Sequence, residues 1–399
     1  MKDLDRRLWI IFVIQVTEIL GFSLILPFLP FYAQEYGASP LVIGLILTVF
    51  SLFQFVSAPI LGSLSDSYGR RPMLMLSQLS TFVSFVVLGF ANSLLWIFIS
   101  RAIDGLLGSN LTTAQAYISD ITQEKDRNRA FNLSSIAFSV GFLIGPAIGG
   151  YLSRFGYAVP ALVAAGIALI SIALTYFYLP ETVKDKKRTP FEISELKIFN
   201  LSKFTQYLKI EELKIVLWQF FLFSLAHVVW TSNFALYGDR KFGMTADTIG
   251  FMLAYVGFIN IILRAGVVPK LLDKYSDRSL NIMGIFLIII GLVIPPFLTV
   301  SWSFLIVITI LSLGIGISRP VLNGIISKVA PKNEQGAVMG VANSLGSMAQ
   351  IVGPVFGGWL LSVSFPDSLM LVAAVIMAIS LVLVLQEPAK KTDSLGSPR

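Results

Sequence analysis

Two acidic residues, Glu18 and Asp104, each stand deep inside a long run of apolar residues. Glu18 follows Leu8 by ten residues and Asp104 follows Leu94 by ten, which at 1.5 Å per helical residue is about 15 Å from the end of each run. Arg101 precedes Asp104 by three residues, so a helix would bring both side chains to one face. Carboxylates at this depth, one of them beside a cation, have the chemistry of a proton carrier.

This chemistry leaves two interpretations open. Hydrocarbon disfavours the charged form of a carboxylate, whereas a neighbouring cation favours it. We therefore predict that Glu18 and Asp104 bind protons from the outside and release them to the cytosol, while Arg101 changes partner between the two states. In the alternative, Arg101 and Asp104 form a static ion pair and Glu18 only contacts a substrate.

The apolar runs that carry these residues predict an all-α membrane protein. The chain has 399 residues, of which 55% are hydrophobic and 13% charged, whereas a soluble domain carries about 25% charged residues. An apolar run of about 20 residues is long enough to cross a ~30 Å hydrocarbon core as a helix. Twelve transmembrane helices are predicted, over residues 8–33, 40–64, 73–92, 94–118, 130–154, 157–180, 212–237, 246–269, 279–299, 302–327, 337–363 and 367–386.

The basic residues predict how these helices are oriented. With the N-terminus in the cytoplasm, 24 of the 30 Lys and Arg residues fall in cytoplasmic segments and three fall outside. This asymmetry follows the positive-inside rule. It predicts a multi-pass protein of the cell (cytoplasmic) membrane with both termini in the cytoplasm, and it accounts for the net charge of +7 without a nucleic-acid partner.

The second half of the chain repeats the first. Both copies start from the cytoplasm, as expected for parallel repeats related by an axis along the membrane normal. Such repeats predict two six-helix halves with a substrate site between them near mid-membrane. The recurring segments are Gly44 as Gly250, 64–68 as 271–275, and 145–150 as 353–358. The predicted parts are an N-terminal half over 1–180, a cytoplasmic linker over 181–211, a C-terminal half over 212–386 and a cytoplasmic tail over 387–399.

A first motif lies in the short loop after the second predicted helix. Its glycines permit a tight turn, and its charged side chains can form ion pairs at the cytoplasmic rim. In the alternative, it is an ordinary turn whose arginines only fix the topology. Its members are Gly62, Asp66, Gly69, Arg70 and Arg71.

Two further motifs lie in the next pair of long helices. Arg101, Asp104 and Gly105 belong to the fourth span, and Asp120 stands at its cytoplasmic exit. The fifth span carries small residues at a spacing that lets helices approach closely, with a proline that can bend the helix; helix packing alone is the alternative reading. The residues of this last motif are Gly141, Gly145, Pro146, Gly149 and Gly150.

Together these motifs resemble the signatures of the major facilitator superfamily, and within it the twelve-span drug:proton antiporters, which include tetracycline exporters. Residues 62–71 are similar to the family's signature between spans 2 and 3, Arg101 with Gly105 to its span 4 signature, and 141–150 to the antiporter signature of span 5. Ser67 departs from this pattern, because the family usually has arginine there, and so does Asp104, where a neutral residue is more usual.

The resemblance implies a major facilitator fold that works by alternating access. It implies that Asp66, Arg70 and Asp120 latch the cytoplasmic side in the outward-facing state. Arg101 would belong to the coupling machinery, and the span 5 glycines would shape the interface between the two halves.

Substrate contacts are predicted in the C-terminal half. His227, Trp230 and Asn233 lie in the seventh span, although a lone histidine on an apolar helix is often a packing residue. Arg264 and Arg319 lie in the eighth and tenth spans. They could grip an anionic substrate or extend toward the cytoplasmic face; the proline after Arg319 favours a cavity role for that residue.

The leading functional hypothesis is proton-coupled efflux of small hydrophobic or amphipathic molecules such as drugs. An importer or facilitator of a polar or anionic metabolite or lipid is the alternative within transport, and a non-transporting receptor on the same fold is the alternative outside it. The sequence has no cysteine and no recognisable metal, nucleophile or phosphate-loop motif, so we expect no enzyme activity, metal or cofactor. The expected partners of a monomeric protein are a small-molecule substrate, protons and the lipid bilayer.

Overall fold

The computed structural model describes residues 6–108, 110–123, 126–183, 206–331 and 333–386, without the side chains of residues 128, 129, 264 and 265. Most of the predicted linker and the predicted tail lie outside these ranges. Within them the chain is helical and no strand occurs. The α-helices are α1 (Arg6–Ile25), α2 (Leu29–Glu35), α3 (Pro40–Tyr68), α4 (Arg70–Gly89), α5 (Leu94–Leu107), α6 (Asn110–Ile121), α7 (Arg127–Leu152), α8 (Ala158–Tyr178), α9 (Glu211–Ser232), α10 (Phe234–Phe242), α11 (Ala246–Ile262), α12 (Val268–Lys274), α13 (Asp277–Val293), α14 (Phe304–Val329), α15 (Gln335–Val363) and α16 (Ser368–Gln386).

The prediction of an all-α membrane fold is confirmed. Across the described ranges, eleven helical segments are long and apolar enough to cross a membrane. A shorter apolar helix, α11, occupies the place of the predicted eighth span, and a π-helical turn over Leu263–Val267 joins it to α12. The large hydrophobic side chains Phe90, Phe177 and Phe297 are more than two-thirds exposed, as expected for helices that face lipid rather than water.

The first and fourth predicted spans are each divided into two helices. The first span bends between α1 and α2, where Pro27 has no N–H to donate. The fourth span is interrupted at Gly108, so that α5 ends at Leu107 and α6 begins at Asn110. Consequently Asp104 and Asn110 are held by two separate short helices.

The chain forms two compact units with the same packing pattern. The first unit takes its described residues from Met1–Ala38, Ile46–Ile198 and Thr245–Gly257, and the second takes the rest. In the first unit α1 packs on α7 and α8, and α4 packs on α5 and α8. In the second unit α9 packs on α15 and α16, and α13 packs on α14 and α16. The sequence repeat therefore corresponds to a repeat of helix contacts.

Candidate functional site

Glu18 on α1 is held by donors from two other helices. Its Oε1 accepts a hydrogen bond of 2.5 Å from the hydroxyl of Ser171 on α8. Its Oε2 accepts one from the side-chain amide of Asn110 at the start of α6. Gln78 on α4 in turn donates to the Ser171 hydroxyl at 3.1 Å. Glu18 as a residue is only partly buried, and both oxygens of its carboxylate accept hydrogen bonds from the protein.

Asp104 and Arg101 on α5 form an ion pair in the protein interior. Each is about 3% exposed, and Arg101 Nη1 lies 3.3 Å from Asp104 Oδ2. The Thr81 hydroxyl on α4 donates to Asp104 Oδ1 at 2.9 Å. The second amino group of Arg101 donates to the hydroxyls of Ser84 and Ser100, both at 3.0 Å. A buried ion pair needs such extra hydrogen bonds to offset its desolvation.

Asn110 and Thr81 connect the two acids into one hydrogen-bonded chain. The Asn110 amide donates to Glu18 and also to the Thr81 hydroxyl, at 3.3 Å for the latter. The Thr81 hydroxyl in turn donates a hydrogen bond to the Asp104 carboxylate. The order is therefore Glu18, Asn110, Thr81, Asp104, Arg101. Any change of charge at Glu18 must alter the hydrogen bond that orients Asn110, because an amide nitrogen can only donate.

A second cluster of charged groups lies at the N-terminal end of α4. The Arg70 guanidinium contacts Asp66 at 2.5 Å and Asp120 at 2.9 Å, and it donates to the Ser65 hydroxyl at 2.6 Å. Thr182 also donates to Asp120, at 3.0 Å. Three of the residues predicted to form the cytoplasmic latch are therefore joined through one guanidinium.

Glu181 caps the helix that carries Arg70. Its carboxylate accepts from the backbone N–H of Arg70 at 2.9 Å and from that of Arg71 at 3.3 Å. These N–H groups belong to the first turn of α4, where no intrahelical acceptor is available, and a negative charge there complements the helix dipole. Gly69, just before α4, has φ +110° and leaves room for this carboxylate.

The second unit contains a counterpart of the Arg70–Asp120 pair with the charges exchanged. Asp277 begins α13 and lies 2.5 Å from Lys328 near the end of α14. Asp277 follows Arg70 by 207 positions and Lys328 follows Asp120 by 208, which are the offsets of the sequence repeat. The repeat thus preserves the position of the ion pair and reverses its polarity.

The glycines predicted in the fifth span let α7 approach α1 closely. Side chains added at Gly141, Gly145 and Gly149 would collide with residues of α1, and the Ser23 hydroxyl donates across this contact to the Gly141 carbonyl at 2.9 Å. Gly150 has a different neighbour, because its Cα packs on the start of α11.

A close contact between a glycine of one helix and the proline of another occurs in both units. In the first unit, Gly250 on α11 packs on the backbone of Pro146. In the second unit, Gly44 at the start of α3 packs on the backbone of Pro354. A side chain at either glycine would collide with the backbone of the proline-containing helix that packs against it.

The sequence of this chain matches a known protein family. The model of the Major Facilitator Superfamily matches residues 11–349 and 270–399. This chain belongs to that superfamily. It is 30% identical over 343 residues to the class C tetracycline resistance protein of Escherichia coli, covering 85% of each chain. It is 28% identical over 401 residues to multidrug resistance protein 2 of Bacillus subtilis (strain 168), covering 96% of each.

Solved structures agree on the fold of this superfamily member. The nucleoside transporter NupG superposes with a TM-score of 0.78 at 11% identity, covering 95% of this chain and 99% of that one. The human organic anion transporter MFSD10 superposes with a TM-score of 0.70 at 19% identity, covering 96% and 100%. The Major Facilitator fold is therefore confirmed, and the relatives are transporters of drugs and other small molecules rather than enzymes.

The residues predicted to contact substrate lie in different places in this superfamily member. His227 and Trp230 on α9 pack with Phe223 and Met377 around a gap that is too small to hold a water molecule. Asn233 is fully buried beside α15, where its amide donates to the Val229 carbonyl at 3.0 Å.

The structure describes the side chain of only one of the two arginines predicted to contact substrate. Arg319 is exposed on α14, and the side chain of Arg264 is outside the described residues. An exposed guanidinium within a spanning helix is costly in hydrocarbon, so such residues usually face water or a cavity.

The sequence analysis missed Asn110 and the polar face of α4 that includes Thr81. Ser77, Gln78, Thr81 and Ser84 are all buried on α4, and their spacing of three and four residues places them on one helical face. A buried polar face on a spanning helix is a signal that sequence reading can detect. Asn110 carries no such periodic signal, because it is the first residue after the break in the fourth span.

The contact between Gly69 and Glu181 predicts the effect of adding a methyl group. We expect Gly69→Ala to lower transport severalfold and stability by about 1–3 kcal/mol, because φ is positive and the new Cβ would meet the Glu181 carboxylate. Gly62→Ala is the matched control, since a Cβ at Gly62 meets nothing within 4 Å. Transport and thermal unfolding of both variants check this, and equal losses at the two positions would contradict it.

Proposed function

We propose that this protein exports small hydrophobic or amphipathic drugs in exchange for protons, by alternating access. The observation that carries the proposal is the continuous hydrogen-bonded chain from Glu18 through Asn110 and Thr81 to the Asp104–Arg101 pair. It joins the carboxylate of a partly buried residue to a buried, charge-compensated one in a member of a transporter family. Related tetracycline and multidrug resistance proteins support a drug as the cargo.

The proposed coupling step starts at Glu18. When Glu18 binds a proton, one of its two oxygens becomes a hydrogen-bond donor, so the contact on that oxygen, with the Asn110 amide or with the Ser171 hydroxyl, must change. The Asn110 side-chain oxygen has no partner among the described residues, so a half-turn of the amide would let it accept from protonated Glu18. That rotation would also remove the Asn110 N–H that the Thr81 hydroxyl accepts. The hydrogen bond from Thr81 to Asp104 would change as a result.

Arg101 sets the charge of the inner end of this chain. With Glu18 ionised, the network holds two carboxylates and one guanidinium, a net charge of −1. A proton on Glu18 makes the network neutral, and a cationic substrate could replace that proton as the compensating charge. Exchange of proton and cation at the two sides would therefore keep the buried charge low in each half of the cycle.

The remaining expectations form part of the same proposal. The protein would act as a monomer in the cell membrane with both termini in the cytoplasm, and the halves 1–180 and 212–386 would alternate access to a site between them. Arg70, with Asp66 and Asp120, would latch the cytoplasmic side. Breaking and remaking these ion pairs would then be part of the transport cycle.

A flux assay tests the proposed function. The purified protein is reconstituted in liposomes with an imposed pH gradient and offered tetracycline, a lipophilic cationic dye and an anionic metabolite in parallel. We expect uptake of tetracycline or the dye into vesicles with an acidic interior, and its loss when a proton ionophore collapses the gradient. Flux that ignores the ionophore contradicts proton coupling. Binding without flux would indicate a receptor.

An anionic substrate is the second candidate, and Arg319 favours it. Arg319 is exposed on a membrane-spanning helix, where its guanidinium could contact an anionic substrate. Gradient-dependent uptake of the anionic metabolite alone, abolished by Arg319→Gln, would support this candidate over drug efflux.

A further inference from the structure

A groove on the membrane-facing side of the first unit lies between α4 and α8. It encloses about 440 Å³, within the ~300–1,000 Å³ range of small-molecule sites. Its walls are Arg71, Met75, Leu76, Leu79, Ile172 and Tyr176. All but Arg71 and the Tyr176 hydroxyl are apolar, so the groove suits a hydrocarbon chain with one polar end.

The polar end of the groove is Arg71. Its guanidinium donates to the Tyr176 carbonyl at 2.5 Å and lies 5.5 Å from the centre of the Tyr176 ring. Its Nε is buried and has no hydrogen-bond partner among the described residues. The neighbouring Arg70 is paired with Asp66 and Asp120. No such carboxylate pairs with the Arg71 guanidinium in the described part of the chain.

The groove has the length of one membrane leaflet. Arg71 stands in the first turn of α4 at its predicted cytoplasmic end, and Leu79 follows it by eight residues, or about 12 Å along the helix. One leaflet of a ~30 Å hydrocarbon core is about 15 Å thick. A lipid of the cytoplasmic leaflet would thus place its headgroup at Arg71 and an acyl chain along Leu76 and Leu79.

We propose that this groove binds an anionic phospholipid of the cytoplasmic leaflet, with the phosphate on Arg71 and one acyl chain between α4 and α8. The Arg71 guanidinium can donate to a phosphate oxygen, and its positive charge favours an anionic headgroup over a zwitterionic one. Because Glu181 caps the same turn of α4 that carries Arg71, a bound headgroup would lie beside the charged cluster of Arg70. The proposal is independent of the substrate that the protein transports.

Native mass spectrometry of the full chain in detergent tests the site. Phosphatidylglycerol and phosphatidylcholine with identical acyl chains are titrated separately. We expect one phosphatidylglycerol to bind at least about fivefold more tightly than phosphatidylcholine, the factor that one basic residue contributes near an anionic group. Arg71→Gln should remove this preference, whereas Arg127→Gln, at an exposed basic residue outside the groove, should keep it.

Two further arms separate the groove from a simple charge effect. Leu76→Trp should fill the groove and weaken phosphatidylglycerol binding severalfold, and Val83→Trp, exposed on the same helix outside the groove, should not. Glycerol phosphate, which has the phosphate but no acyl chain, should not displace the lipid. Equal affinity for the two lipids, a preference that survives Arg71→Gln, unchanged binding by Leu76→Trp, or displacement by glycerol phosphate would each overturn the proposal.

Discussion

Replacing Glu18 by Gln is expected to reduce gradient-driven drug accumulation to the level of protein-free vesicles. Gln has nearly the shape of Glu and can still accept a hydrogen bond from Asn110, but it cannot bind and release a proton. Exchange of labelled for unlabelled drug across the membrane needs no net proton movement. We therefore expect this exchange to persist in the variant, which separates a loss of coupling from a loss of folding.

A second acid of the same span provides the control. Glu35 at the end of α2 is exposed, and Glu35→Gln makes the same chemical change away from the network. It should accumulate drug as the unmodified protein does. Accumulation by Glu18→Gln at the wild-type level, measured in the same vesicles, would remove Glu18 from the coupling step.

Replacing Arg101 by Gln is expected to destabilise the protein by about 3–5 kcal/mol, the cost of leaving a buried charge without its partner. Asp104 is about 3% exposed, and after the substitution only the Thr81 hydroxyl would remain as a strong donor to it. Asp104→Asn should be costly for the converse reason, because Arg101 would keep its charge. Thermal unfolding in detergent, followed by tryptophan fluorescence, measures both losses.

The double variant Arg101→Gln with Asp104→Asn tests whether the two effects share one cause. It removes both charges together, so most of the lost stability should return, whereas proton-driven transport should not. Losses that simply add in the double variant would show that the two side chains act independently, and the ion pair would then not be the element that the network needs.

Counting along helices was enough to predict part of this site. The side-chain contact between Arg101 and Asp104 follows from their spacing of three on one helix. The contacts of Arg70 with Asp66 and Asp120 lie among residues that the resemblance to the superfamily had already singled out. Each of these inferences needs only the position of a residue within its own span or motif.

The link between the acids could not be predicted in the same way. It requires Thr81 on α4, Asn110 on α6 and Glu18 on α1 to converge, and their lateral arrangement depends on packing between helices that are far apart in sequence. The break at Gly108 matters most, because it starts a new helix at Asn110, whereas the sequence predicted an uninterrupted span over 94–118. The cap that Glu181 provides for α4 likewise joins residues more than a hundred positions apart.

Proton movement driven by the drug itself tests the central claim most directly. Liposomes containing the protein and a trapped pH indicator receive a tetracycline gradient and no imposed pH gradient, with the membrane potential clamped. The account predicts that drug flowing down its gradient moves protons in the opposite direction, and that Glu18→Gln abolishes this proton movement. Drug flux through the unmodified protein without any proton movement, beyond that of protein-free liposomes, would contradict it.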